Sequence, residues 1–260
     1  MRRPPGKPRP REPEDDTPGR RVVGMQAVRE AIKRHGARLH EVLIERGTSP
    51  KLAALERFAR DSQVENVRRV ERAELDRESR GVVHQGVLAR APELELVGFE
   101  ALFDDPGLLV LALDSLQDPQ NFGAVVRSAV AFGDATLLWG EHGSAPLTPS
   151  TFRASAGAIE HARLCRVPSL VAALTELRER GVLVVGLDAN APKRLSELSL
   201  AGPLALVIGS EGDGLARGTR RVCAELATLG ELRHVDSLNA SVAAGIALYE
   251  AANQRLKSRS

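Results

Sequence analysis

One stretch constrains this chain more than any other. Leu204-Ala205-Leu206-Val207-Ile208 is an unbroken apolar run, which reads as a strand buried on both faces. It breaks at once into Gly209-Ser210-Glu211-Gly212-Asp213-Gly214, a loop carrying three glycines. Further on, Asp236-Ser237-Leu238-Asn239-Ala240-Ser241 opens a helix through Ala243, Ala244, Ile246 and Tyr249. A glycine loop at the C-terminal end of a strand, followed by a polar helix start, is where open α/β sheets bind ligands. Glycine there lets the backbone come close to a ligand. The loop does not read G-x-G-x-x-G and no lysine follows it as in a P-loop, so neither nucleotide fingerprint applies.

Around this stretch the chain alternates strand and helix. Strands are expected at Leu108–Leu113, Thr136–Leu138, Arg163–Val167, Val182–Leu187, Leu204–Ile208 and Ala227–Leu229. Helices are expected near Phe122–Phe132, Arg153–Ile159, Leu170–Arg180, Ala216–Cys223 and Ser241–Leu256. That order predicts a mostly parallel sheet covered on both faces. Before it, residues 22–91 carry a smaller α/β pattern: helix, strand at Glu41–Glu45, helix, strand within Val64–Val70, short helix, strand within Val82–Ala89. Residues 92–105 read as a linker and 106–260 as the larger domain, while 1–21, rich in Pro, Arg and Glu, reads as a disordered tail.

Composition excludes several classes. With 260 residues, 43% hydrophobic and 27% charged, the chain is a globular protein with ample core. Aromatics are only 3%, too few for a surface that stacks single-stranded bases on rings. The net charge of +2 does not by itself demand a nucleic-acid partner. Two basic clusters have that option: Arg2, Arg3, Lys7, Arg9 and Arg11 in the tail, and Arg29, Lys33, Arg34, His35 and Arg38 at the end of the first helix. Each also has a plain role, as a solubilising tail and as cations at a helix C-terminus. Cys165 and Cys223 lie far apart and form no C-x-x-C, which argues against a disulfide framework or a cysteine metal site and fits a reducing, cytoplasmic setting. No apolar run is long enough for a membrane helix.

Three elements can carry chemistry. Asn121 and Gly123 open the helix after the first apolar strand, with Arg127 among Val125, Val126, Ala129 and Val130. Locally, Asn121 reads as an N-cap and Gly123 as a helix-packing glycine, whereas an arginine fork among apolar residues suits an anion. Glu211 sits in the glycine loop, where a carboxylate among backbone N–H groups is often structural. Ser237 and Asn239 are good caps for the last helix.

Taken together, Asn121-x-Gly-x-x-x-Arg127, Ile208-Gly-x-Glu-Gly212 and Ser237-Leu-Asn-x-Ser241, each at a strand-to-helix junction, resemble the SpoU (TrmH) family of the SPOUT methyltransferases. Ser155-Ala156-Gly157-Ala158 with Glu160 is similar to that family too. Val23-Gly24-Met25-Gln26-Ala27-Val28 and Val83-His84-Gln85-Gly86-Val87 resemble the N-terminal module of the members that methylate a guanosine ribose of 23S ribosomal RNA. The resemblance implies a C-terminal trefoil-knotted α/β domain and a small N-terminal ribosomal-protein-like RNA-binding domain. It implies S-adenosylmethionine as cofactor, lined by Ile208, Gly209, Leu229, Leu238 and Asn239, and no metal. It implies Arg127, Asn121, Glu211, Ser237 and Asn239 as catalytic residues, ribosomal RNA as substrate, and a homodimer. Transfer to tRNA or to another ribosomal nucleotide, and a non-catalytic RNA-binding member, are the alternatives; a Rossmann dehydrogenase lacks its glycine fingerprint. One departure stands out: where the family has Pro-Met-x-Gly, this chain has Gly230-Glu231-Leu232-Arg233, which brings a carboxylate toward the expected cofactor pocket.

Overall fold

The computed structural model describes residues 19–133, 135–142, 147–231 and 234–258. The tail's basic cluster, and Leu232 and Arg233 of the departing stretch, lie outside them. Two sheets are formed. The smaller holds β1 (Arg20–Val23), β2 (Glu41–Glu45), β3 (Val67–Val70) and β4 (Val87–Ala91), in the order β1-β4-β2-β3. Helices α1 (Met25–His35) and α2 (Pro50–Asp61) pack on one face through Val28, Ile32, Leu52 and Leu55; α3 (Arg72–Glu78) packs on the other through Leu75. β2 and β3 are parallel across α2, whereas β4 runs antiparallel to β1 and β2.

The larger sheet is wholly parallel. It contains β5 (Leu109–Leu113), β6 (Thr136–Gly140), β7 (Leu164–Val167), β8 (Leu183–Leu187), β9 (Lys193–Arg194), β10 (Leu204–Ile208) and β11 (Glu225–Thr228), in the order β7-β6-β5-β10-β8-β11-β9. The period-2 rule divides each central strand between two cores. Leu109, Leu111 and Leu113 with Leu204, Leu206 and Ile208 face α4 (Pro119–Ala131) and α8 (Ala240–Ser258). Val110, Ala112, Ala205 and Val207 face α6 (Leu170–Glu179) on the opposite side, where α7 (Arg217–Val222) also packs. Strands buried on both faces have no polar side, which is why β5 and β10 read as continuous apolar runs.

Local differences from the sequence reading have physical causes. The expected tail ends two residues early: Arg20 and Arg21 pair with Ala91 and Arg90 in β1, and Arg20 is buried. Its charge made it look like tail, and its carboxylate partner is Glu160, 140 positions away. The helix expected over Arg153–Ile159 stops with α5 (Pro149–Ala154), because Ala156 and Gly157 turn left-handed, and a 3-10 turn over Ala158–His161 follows. The connector after β4 is anchored, since Leu96 bridges Leu164 and Val97 N donates to Leu164 O at 2.8 Å. The C-terminal helix is clamped by Arg255, whose guanidinium donates to the carbonyls of Gly107, Leu108, Leu200 and Gly202.

The Glu160 carboxyl is held below its ordinary value. Burial raises its pKa, but hydrogen bonds from His35 and Arg20 outweigh that. A depressed folded pKa contributes stability above the unfolded value, and that contribution is lost as pH falls through the lower folded one.

Helix α4 meets α5 at Gly123 with no spare room. A Cβ there would fall 2.4 Å from Ala154 Cβ and 2.8 Å from Ser155 N. Gly123→Ala is therefore expected to destabilise the fold by about 1–3 kcal/mol through overpacking, read as a lower midpoint in urea with an unchanged slope.

Candidate functional site

Three chain segments meet at the C-terminal edge of the large sheet. β5 is followed by Asp114, a buried carboxylate whose Oδ2 accepts from Ala216 N at 2.7 Å and so ties this strand end to the start of α7. After it, Asp118 caps α4, accepting from the backbone N–H of Gln120 and Asn121, with Pro119 in the first helical position. The cap is thus Asp118 and not Asn121, and the Asn121 side chain is free for another partner.

That partner is Glu211. Asn121 Nδ2 donates to Glu211 Oε1 at 2.5 Å. Asn239 Nδ2 donates to the same oxygen at 2.6 Å and to Asn121 Oδ1 at 3.0 Å. The three side chains form a closed triangle, each from a different strand-to-helix junction. Asn239 does a second job, since its Oδ1 accepts from the backbone N–H of Ser241 and Val242 and from Ser241 Oγ. It is the N-cap of α8, worth about 1 kcal/mol, so its amide is held from both ends. Two amide N–H groups on one carboxylate oxygen are charge-assisted bonds of the stronger kind.

Beside the triangle lies a cleft of about 670 Å³, within the range of small-molecule sites. Its walls come from Leu187–Asn190 after β8, Ile208–Leu215 after β10, Thr228–Gly230 at the end of β11, and Asp236–Ala240 with Ala243 at the start of α8. Ile208, Gly209, Leu229, Leu238 and Asn239, the residues expected to hold a cofactor, all line it, as do Glu211 and Ser237. The loop after β10 closes on itself: Ser210 N donates to Gly214 O at 3.0 Å and Gly214 N returns to Ser210 O at 3.2 Å. A Cβ on Gly209 would sit 2.2 Å from the Gly214 carbonyl carbon, so glycine is required there. Gly212 and Gly214, at φ +100° and +65°, supply the left-handed turns. Among the described residues of the substituted stretch, Gly230 lines the cleft and Glu231 is exposed and does not.

Asn121, Glu211 and Asn239 are therefore brought together, and Ser237 stands exposed at the cleft with no hydrogen bond among the described residues. Arg127 is not brought to them. It projects from the exposed side of α4, outside the cleft lining, with no ion-pair or hydrogen-bond partner among the described residues. Its apolar sequence neighbours belong to the other faces of the helix.

In the smaller module the expected basic cluster is split. Arg29 lies over the Phe58 ring at 6.0 Å, Lys33 is paired with Glu30 at 2.8 Å, and Arg38 approaches Glu95 at 3.8 Å. His35 turns inward to Glu160 at 2.9 Å and leaves the patch. Sequence reasoning missed Arg20 and Asp118; a polar residue just before Pro119 at a helix start was the signal available for Asp118.

Among the described residues, no group of three His, Cys, Asp or Glu stands close enough to hold a metal ion, and no helix is long and apolar enough to cross a membrane.

The profile of the SpoU rRNA Methylase family matches residues 108–249, and the profile for RNA 2′-O ribose methyltransferase substrate binding matches residues 21–97. The 23S rRNA (guanosine-2′-O-)-methyltransferase RlmB of Xylella fastidiosa is 39% identical over 90% of this chain and 96% of its own. An uncharacterized tRNA/rRNA methyltransferase of Mycobacterium ulcerans is 40% identical over 72% of this chain, and the match spans 61% of that longer relative. The crystal structure of the SpoU methyltransferase AviRb from Streptomyces viridochromogenes, in complex with AdoMet, superposes with a TM-score of 0.72 at 25% identity over 91% of this chain and 90% of that one.

Because the Gly209 site admits no side chain, Gly209→Ala is expected to push Gly214 aside and deform the cleft. Calorimetric titration with S-adenosylmethionine should show at least a ten-fold weaker Kd, in line with about 1.4 kcal/mol per decade, while far-ultraviolet circular dichroism stays that of the parent.

Proposed function

This chain belongs to the SpoU rRNA methylase family, and we propose that it is an S-adenosylmethionine-dependent 2′-O-ribose methyltransferase acting on a guanosine of 23S ribosomal RNA. The observation that carries the reading is the closed triangle of Asn121, Glu211 and Asn239 beside a glycine-walled cleft. The cleft fits the cofactor in kind. Its wall from Ile208 to Gly214 contains three glycines, and Leu229 and Leu238 add apolar surface. These same residues would hold the cofactor, with Gly209, Leu229 and Leu238 foremost. When bound, it supplies an electrophilic methyl group.

The protein's share is to position a ribose hydroxyl and manage its proton. Glu211 Oε1 is already occupied by two amides. Its other oxygen has no hydrogen bond among the described residues and is the carboxylate acceptor offered to the 2′-hydroxyl. Asn121 and Asn239 hold that carboxylate in one rotamer, and the Ser237 hydroxyl at the cleft is available to the ribose. Arg127 is not a base, because arginine stays protonated in proteins. It anchors an RNA phosphate through its planar fork, on the outer surface of α4.

The substrate is gripped, in this reading, by residues 22–91, with Arg29, Lys33, Arg34 and Arg38 as the exposed cations of the patch, and transfer belongs to residues 106–260. The trefoil knot implied for the final segment is part of the proposal, as are a cytoplasmic setting, in keeping with two unbridged cysteines, and a homodimer. For the dimer, α8 offers Val242, Ile246 and Tyr249 on one stripe, 49%, 41% and 57% exposed, with the Phe132 ring edge-on to Tyr249 at 5.9 Å. A second copy of this chain is the occupant that closed two-fold symmetry favours for such a stripe. Light scattering at micromolar concentration should give twice the chain mass, and Ile246→Glu, on the exposed side, should give a folded monomer. A parent protein that scatters as a monomer removes the dimer.

Arg127→Ala should reduce transfer of labelled methyl to ribosomal RNA by about 10²-fold, the scale of a misplaced substrate. S-adenosylmethionine affinity should be retained. Arg127→Lys keeps the charge but loses the fork, so a bidentate role predicts severe loss there as well. Parent-level transfer by Arg127→Ala would show Arg127 to be an ordinary surface residue.

A further inference from the structure

The two sheets are joined by a buried charge cluster that the transfer chemistry does not use. The Glu160 carboxylate has no exposed surface, and Arg20 and His35 beside it are 5% and 9% exposed. Arg20 binds it with both guanidinium ends, at 2.8 and 2.5 Å, while His35 Nε2 reaches Oε2 at 2.9 Å. Arg20 Nε also donates to Pro92 O, the first carbonyl of the connector, at 3.1 Å, and its guanidinium lies 4.8 Å from the centre of the Phe152 ring. One arginine thus gathers β1, the connector, α5 and the 3-10 turn after it. Glu30 and His161 add a second pair at the rim, at 3.2 Å. Gly157 sits between them at φ +85°, and a Cβ there would fall 2.7 Å from Glu30 Cβ and 3.0 Å from Ala27 Cα.

Stability alone does not account for this arrangement. Apolar side chains of similar volume in place of a buried ion pair are often neutral or stabilising. What the ions add over an apolar contact is geometry: a two-pronged arginine–carboxylate pair fixes distance and angle, where a greasy face can slide. The segment that carries Glu160 leads straight to the site. Ala154 and Ser155 pack on Gly123 with no room for a methyl group, and Asn121 lies two residues before Gly123 on the same helix.

We propose that Glu160 is a positioning residue. Docking of Arg20 and His35 on it sets the N-terminal module at one angle to the Asn121–Glu211–Asn239 triangle, so that RNA held by the module presents one nucleotide at the cleft. The inference rests on the methyltransferase reading for its purpose, but the docking itself is tested without any turnover.

The test uses the full chain with Arg20→Met, Arg20→Lys and Glu160→Gln. Small-angle X-ray scattering and limited proteolysis of the 92–105 connector report docking on the free protein. Labelled-methyl transfer to a ribosomal RNA fragment, and filter binding of the same fragment, report presentation. Arg20→Met should enlarge the radius of gyration and expose the connector to protease. It should lower kcat at saturating RNA by roughly ten- to a hundred-fold, the scale of a small misplacement. RNA and S-adenosylmethionine affinities should stay within about two-fold of the parent, against the ten-fold that 1.4 kcal/mol would bring. Arg20→Lys should fall between. A merely structural role would lower the melting temperature and the active fraction together, leaving the scattering profile of the folded fraction unchanged. A folded Arg20→Met protein with the parent's scattering profile, or with the parent's kcat at saturating RNA, overturns the inference. Should Arg20→Met fail to fold, parent-like scattering from both Arg20→Lys and Glu160→Gln overturns it equally. A parent protein that transfers no methyl group sinks the methyltransferase reading, while scattering still decides the docking.

Discussion

Everything at the site depends on β10 being inserted between β5 and β8. The chain lays down β5, β6 and β7 outward on one side, then starts β8 beyond the gap and returns through it with β10. Parallel pairing with both neighbours aligns the C-terminal ends of three strands, with Ile208 level with Leu113. The backbone must then leave the sheet in a crowded place, under α7 and beside the start of α8. Only a loop rich in glycine makes that exit, because a Cβ on Gly209 would fall 2.2 Å from the Gly214 carbonyl carbon. The carboxylate of Glu211 is delivered to the Asn121 and Asn239 amides by that forced turn.

The triangle shows how sequence-local and long-range demands share the same residues. Asn239 would be present in some form at this position even without a ligand, since α8 needs a cap. Asn121 is different. Asp118 already caps α4 through the N–H groups of Gln120 and Asn121, so the Asn121 side chain is not needed as a cap and its amide goes to Glu211. A side chain that its own helix does not need, bonded to a carboxylate 90 positions away, is the kind of local redundancy expected where function overrides propensity.

Much of the fold was legible because fully buried parallel strands cannot hide. Leu204–Ile208 and Leu109–Leu113 have no polar face to blur the pattern, and their helices carry the 3.6 period. β1 was not legible, because half of it is the dipeptide Arg20-Arg21 at the end of a charged, proline-rich segment. Nothing local says that Arg20 meets a buried carboxylate 140 positions on. β9 is only Lys193–Arg194, too short for any period. At the site, the glycine loop and the Ser237–Asn239 start were visible as elements. The pairing of Asn121 with Glu211 was not, since spacing along a chain carries no information on which junctions face one another across a sheet. The resemblance placed these residues in one site but did not pair them.

The exposed position of Arg127 follows from helix geometry and bears on what kind of substrate the site takes. At about 100° per residue, Asn121 and Arg127 lie roughly 120° apart around α4. They cannot both point into one small cleft. Asn121 faces Glu211, and Arg127 stands on the outer surface, away from the cleft lining. A compact ligand held between β10 and α8 would meet Glu211 and Asn239 of the triangle and not Arg127. A polymer differs: its reacting sugar can enter at the triangle while a neighbouring phosphate crosses the surface of α4 to meet an arginine fork. Two contacts separated around one helix, one hydrogen-bonded and inward, one cationic and outward, suit a chain-like anion better than a free nucleotide. Within the proposed reading, that is a reason for ribonucleic acid that the net charge of this protein does not supply.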